Sequence, residues 1–107
     1  MWIFLPNSML SIVQKLGDAK AGTLTVRARI AGDIERVFPD AKVIDGGGTD
    51  YRFRATVPRD KVAQAMFDQV MALDYSNFKS TVKNRQRHEA YLKVWSAMFG
   101  YQQNEKR

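Results

Sequence analysis

Two seven-residue runs constrain this chain more than any other part of it. Thr23 to Arg29 and Tyr51 to Val57 both alternate apolar and polar side chains, and each carries two arginines. Successive side chains of a strand point to opposite faces. The first run therefore sets Leu24, Val26 and Ala28 on one side and Thr25, Arg27 and Arg29 on the other. The second sets Tyr51, Phe53, Ala55 and Val57 inward and Arg52, Arg54 and Thr56 outward. Both read as strands of a sheet with one buried face.

Around them the chain reads as strands and helices in a mixed order. Trp2 to Leu5 and Met9 to Gln14 are two short strands joined by the turn residues Pro6-Asn7-Ser8. Lys15 to Gly22 is polar, bears two glycines and reads as a loop. Asp33 to Phe38 is a short helix that Asp33 can cap and Pro39 ends. Ala41 to Ile44 is a short strand, and Gly46-Gly47-Gly48 is a turn. After Pro58, Val62, Met66, Phe67, Val70 and Leu73 recur at helical spacing. Asp74 to Asn77 breaks that pattern. A long helix is then expected from about Phe78 to Phe99, with Gly100 as its stop.

From Thr23 to Leu73 the order is β-α-β-β-α, compatible with most of a ferredoxin-like split βαβ unit. The expected architecture is α+β: a small antiparallel or mixed sheet, ferredoxin-like or a variant, packed by two or three helices. The N-terminal hairpin extends the sheet. With 107 residues and no linker or repeat, one domain (residues 1–107) is the simplest account. Trp2, Phe53, Phe67, Trp95 and Phe99 are expected to be substantially buried.

Charge is unevenly spread. The formal net charge is +6. Residues 1–75 hold ten basic and nine acidic side chains, a net +1, whereas residues 76–107 hold seven and two, a net +5. A local basic surface attracts nucleic acid, acidic proteins or anionic lipid. On the last helix, Lys79, Lys83, Arg87 and Lys93 fall within roughly a third of the circumference at about 100° per residue. Tyr91, Leu92, Trp95, Met98 and Phe99 share the opposite side. Two readings stand: a cationic ridge that touches a polyanion, or a core-packed helix with solvated lysines. An amphipathic basic helix also suits an anionic membrane, but its apolar face is needed to bury the sheet.

The sheet arginines Arg27, Arg29, Arg52 and Arg54 form the second basic candidate. If their strands are neighbours, the four line one face and can meet phosphates or single-stranded nucleic acid. Otherwise they solvate the face or pair with nearby carboxylates. The aromatic ring pair of an RRM motif is missing from the outward positions.

Other chemistries find little support. The chain has no cysteine, which removes disulfides, thiolate metal sites and cysteine nucleophiles. His88, the single histidine, falls on the apolar side of its helix without a catalytic partner at suitable spacing. The glycine run lacks the Lys-Ser or Lys-Thr of a phosphate-binding loop. Asp74 to Lys79 can present Tyr75 and Asn77 to a ligand. More simply, Ser76 or Asn77 caps the last helix while Tyr75 and Phe78 fasten it. No cofactor and no metal site is expected. No long apolar run suggests integral membrane association, and the cytoplasm is the default location.

The start Met1-Trp2-Ile3-Phe4, the stretch Asp50-Tyr51-Arg52-Phe53-Arg54-Ala55, the segment Asp74-Tyr75-Ser76-Asn77-Phe78-Lys79, and His88, Tyr91, Val94 and Trp95 together resemble a set of small bacterial hypothetical proteins. The resemblance implies a compact bacterial domain and transfers no functional residue.

Three functions follow as expectations. The most specific is a small module that contacts nucleic acid through the basic C-terminal helix and the sheet arginines. The broader one is a protein-interaction or regulatory module, with a homodimer among its forms. The third is a small enzyme, for which the sequence offers neither a nucleophile–base pair nor a metal motif.

Overall fold

The computed structural model describes residues 1–46 and 50–105. Within what the sequence reads as one domain, the chain divides into two compact units, Met1–Asp74 and Tyr75–Arg107.

The first unit is a five-stranded, wholly antiparallel sheet. Its strands are β1 (Trp2–Leu5), β2 (Ser8–Val13), β3 (Thr23–Ala28), β4 (Ile44–Asp45) and β5 (Phe53–Pro58), in the order β1-β2-β3-β5-β4. Because β3 and β4 both run antiparallel to β5 between them, they are parallel to each other. Helix α2 (Asp33–Val37) lies on the connection from β3 to β4, which makes this the split βαβ unit expected from the β-α-β-β-α order. The N-terminal hairpin extends the sheet through β2, which pairs with the other edge of β3.

Helix α3 (Arg59–Met71) starts directly after Pro58. Proline has no N–H to lose at a helix start, so it closes the strand and opens the helix in one residue. α2 and α3 cover the face that carries Leu10, Ile12, Val26, Ala28, Ala55 and Val57, with Ile34, Phe38 and Val62 from the helices. This is the alternation read from the sequence. The polar run Lys15 to Gly22 is not all loop. It holds one helical turn, α1 (Asp18–Ala21), flanked by Gly17 and Gly22 in left-handed conformations.

Asp33 does not cap α2. Gly32 takes the N-cap position with φ 92°. The Asp33 carboxylate instead accepts the Met9 N–H at 3.0 Å and pairs with Arg36, and so ties the helix to β2. The glycine turn begins with Gly46, at φ 77°. Gly47 and Gly48 lie outside the described residues.

The second unit departs further from expectation. The long helix is split. A 3₁₀ turn at Lys79–Thr81 is followed by an extended Val82, and helix α4 runs from Arg85 to Asn104. Asn84 has β-region angles, and its side chain accepts the Arg87 N–H at 2.9 Å, a true N-cap. Asn77 caps only the 3₁₀ turn, through the Lys79 N–H. Gly100 lies inside α4 rather than ending it. Tyr75, Phe78 and Tyr91 form a chain of ring contacts, with centroids 5.9 and 5.8 Å apart. Among the described residues of this unit, Val82 and Tyr91 are buried.

Four of the five large side chains expected in the core are not there. Trp2, Phe67, Trp95 and Phe99 are all exposed, and only Phe53 packs against the core. Trp2 lies on an edge strand, on the face opposite α2 and α3. Phe67 lies on the half of α3 turned from the sheet. No helix among the described residues is long and apolar enough to cross a membrane.

Candidate functional site

The register of the sheet brings the arginines together. Arg27 on β3 stands directly opposite Arg54 on β5. The row continues on both sides. Trp2 pairs with Ser11, Ser11 with Arg27, and Arg54 with Ile44. Trp2, Ser11, Arg27, Arg54 and Ile44 therefore form one line across all five strands, on the face opposite α2 and α3. At about 4.8 Å per strand the line spans roughly 19 Å. Its ends, Trp2 and Ile44, are exposed, while both arginines are half-buried.

Tyr51 builds the site from beside the row. The sequence puts its ring inward with Phe53. In the structure β5 begins only at Phe53, and Tyr51 lies outside the apolar core. Its ring is buried beneath two guanidinium groups, with Arg27 Cζ 4.5 Å and Arg29 Cζ 4.1 Å from the centroid. Such contacts hold long side chains in place. Arg27 also donates to the Ser11 hydroxyl at 2.7 Å, and Arg29 to the Asp50 carbonyl at 3.1 Å.

Charge compensation separates the four arginines. Arg52 forms a two-pronged contact with Asp45, at 2.9 and 3.3 Å, and sits 5.2 Å from the Phe53 ring centroid. That hydrogen-bonded pair pulls the Asp45 carboxyl below its usual range and pushes Arg52 further up. Among the described residues no carboxylate pairs with Arg27, Arg29 or Arg54. Nε of both Arg27 and Arg54 is buried without a hydrogen-bond partner. Like charges placed directly across two strands destabilise a sheet, and an unsatisfied buried donor adds to that cost.

One end of the same face is fixed by Asp18. Its carboxylate accepts the Thr23 hydroxyl at 2.6 Å, the Lys15 N–H at 2.8 Å and the buried Thr25 hydroxyl at 2.8 Å. These hydrogen bonds, Thr23 first, lower its pKa. The carboxylate at this end of the arginine face is thus engaged by three hydrogen-bond donors.

The basic set of the second unit is not one helical ridge. Lys79 lies in the 3₁₀ turn and Lys83 in the extended link, so only Arg87 and Lys93 belong to α4. Lys79 Nζ sits 4.2 Å from the Trp95 ring centroid, and Lys83 donates to the Ser80 carbonyl. Arg87 donates to the Tyr91 hydroxyl at 3.3 Å. Lys93 is exposed. The helix instead presents apolar surface. Trp95 and Phe99 stack with centroids 5.2 Å apart, and a shallow groove is lined by Trp95, Met98, Phe99, Tyr101, Gln102 and Glu105.

Sequence reasoning missed Tyr51 as the support of the guanidinium groups, and Trp2 and Ser11 as members of their row. The alternation assigns faces, but the pairing that aligns Trp2, Ser11, Arg27 and Arg54 is set by register. Among the described residues no three His, Asp or Glu side chains gather so as to hold a metal ion.

Compared with known proteins, the chain matches no family model, no curated protein and no solved structure.

Proposed function

We propose that this protein is a binding module for single-stranded nucleic acid, with the row Trp2–Ser11–Arg27–Arg54 as its contact surface. The observation that supports this reading is the pair Arg27 and Arg54, directly opposed and without a carboxylate. A phosphate between them relieves their repulsion and supplies acceptors. Guanidinium groups suit it, because their planar fork takes two phosphate oxygens at once. Trp2 supplies an exposed π-face at one end of the row, and base–aromatic stacking is tolerant of sequence. A path of roughly 14 Å suits the two or three bases that a sheet platform typically stacks.

The proposal rests on the sheet rather than on the C-terminal helix. The helix was the stronger candidate by charge, but its cations are spread over three local structures and one of them covers Trp95. Arg52, neutralised by Asp45, is a peripheral member of the surface.

The test is binding of labelled single-stranded RNA, single-stranded DNA and duplex DNA over a salt series. Single strands should bind with a log–log slope of about −0.7 per phosphate contact. Arg27→Gln with Arg54→Gln should weaken binding and flatten that slope. Lys79→Glu with Lys83→Glu should matter less. Absence of binding at low salt, or binding lost only in the lysine variant, refutes the assignment.

A further inference from the structure

Arg27 and Arg54 together carry more charge than one internal phosphate of a nucleic acid neutralises. They are directly opposed on β3 and β5, and directly opposed Cα atoms lie about 4.5–5.5 Å apart. Both side chains are half-buried, and Nε of each is buried without a hydrogen-bond partner. The acids of adjoining segments leave the pair unneutralised. Asp45 pairs with Arg52. Asp18 takes the Thr23 and Thr25 hydroxyls and the Lys15 N–H, and the cation that acts on it is Arg59. Asp50 meets Arg29 through its backbone carbonyl. Among the described residues, two positive charges therefore stand together with no acid paired to either.

An internal phosphate is a diester with a single negative charge, which leaves such a pair net positive. A terminal phosphate is a monoester. Its second ionisation lies near pH 6, so at neutral pH it carries about −1.5 to −2 charges on three free oxygens. That charge matches the pair, and three oxygens let both planar forks engage one phosphate at once. Arg27 is already held by the Ser11 hydroxyl and the Tyr51 ring, so little order has to be gained on binding. The row also ends here. Past Arg54 lies only the apolar Ile44, on the edge strand. Arg52 is paired with Asp45, and Lys42 precedes β4 rather than belonging to it. A strand that enters the row from Trp2 thus meets the last cations of the row at Arg27 and Arg54.

We infer that Arg27 and Arg54 form a site for a dianionic phosphate monoester. Resting on the single-strand reading above, that monoester is the terminal phosphate of a strand whose bases run toward Trp2. The protein then takes phosphorylated ends in preference to internal segments.

The experiment compares labelled single-stranded RNAs of one sequence, with a phosphate at the 5′ end, a phosphate at the 3′ end, or hydroxyls at both. One phosphorylated form should bind about tenfold tighter or more than the hydroxyl form, the scale of one added hydrogen bond to a charged group. Arg27→Gln with Arg54→Gln should erase that difference while the circular dichroism spectrum is kept. Inorganic phosphate should raise the melting temperature of the native chain above its value in chloride of the same ionic strength, and should not do so in the double variant. Equal affinity for all the strands overturns the proposal and leaves single-strand binding standing, and that comparison needs no variant. If no strand binds but inorganic phosphate still stabilises the native chain alone, the monoester site stands and the single-strand reading falls. If neither strand nor phosphate binds, both fall.

Discussion

Arg27 and Arg54 face each other across the neighbouring strands β3 and β5 with no acid between them. An arrangement that costs stability and lies in the middle of a sheet invites a trade. Arg54→Thr should stabilise the free protein by roughly 0.2–1 kcal/mol, the scale of one cross-strand pair. The same change should lower affinity for single-stranded RNA and reduce the salt slope by about 0.7. Thermal melts with and without RNA check both halves. A variant that loses stability in the free state would show that Arg54 is held by packing rather than strained by its neighbour.

Gly32 and Arg36 give a second test. Gly32 is left-handed at φ 92°, and an added Cβ would lie 2.9 Å from Arg36 Nη1. That guanidinium is engaged by Asp33, the Asn7 carbonyl and the Ser8 hydroxyl. Gly17 has the same φ with open space around it. Gly17→Ala should therefore report the backbone penalty alone, about 1–2 kcal/mol. Gly32→Ala should cost more, because Arg36 must move. Chemical denaturation of the two variants measures the difference, and equal losses would show that Arg36 shifts freely.

What was legible in the sequence was the part dictated by side-chain period. Leu24, Val26 and Ala28 define a face whatever strands lie beside them, and they are indeed on the core side. The β-α-β-β-α order was enough to give the split βαβ unit. Four features were not legible. Tyr51 continues the alternation of Phe53 to Val57, but the strand ends before it, so its ring is free to lie under the arginines. Lys79, Lys83 and Arg87 keep helical spacing through a segment that is not one helix. The signal that breaks it is Asn84, a strong N-cap residue. Gly100 reads as a stop, yet one glycine costs an exposed helix only about 1 kcal/mol and does not end it. The opposition of Arg27 and Arg54 depends on register, which alternation within one strand leaves open.

Leu10 and Trp95 exchange the importance that their sizes suggest. Leu10 is fully buried in the core, whereas Trp95 is 49% exposed. Leu10→Ala should cost about 2–5 kcal/mol through lost burial and the cavity left behind. Trp95→Ala should cost less than about 1 kcal/mol in dilute solution, where chains are separate. Chemical denaturation of the two variants checks the order, and a larger loss in Trp95→Ala would overturn it.

Asp18 makes the end of the arginine face sensitive to acid. Three donors hold its carboxylate below the ordinary value of 3.8, the Thr23 hydroxyl foremost. A group whose pKa is lowered by folding adds stability that is fully present above its unfolded value. That stability is lost as pH falls through the folded value. The melting temperature should therefore be flat from neutral pH down to about 5 with respect to this group, and fall below about pH 4. In Asp18→Asn the neutral-pH melting temperature should be lower and the acid slope shallower. The amide can accept through one oxygen only, so it cannot satisfy Thr23, Thr25 and Lys15 together. A melting series against pH on the two proteins decides the matter. Parallel curves would mean that other carboxylates, and not Asp18, carry the acid limb.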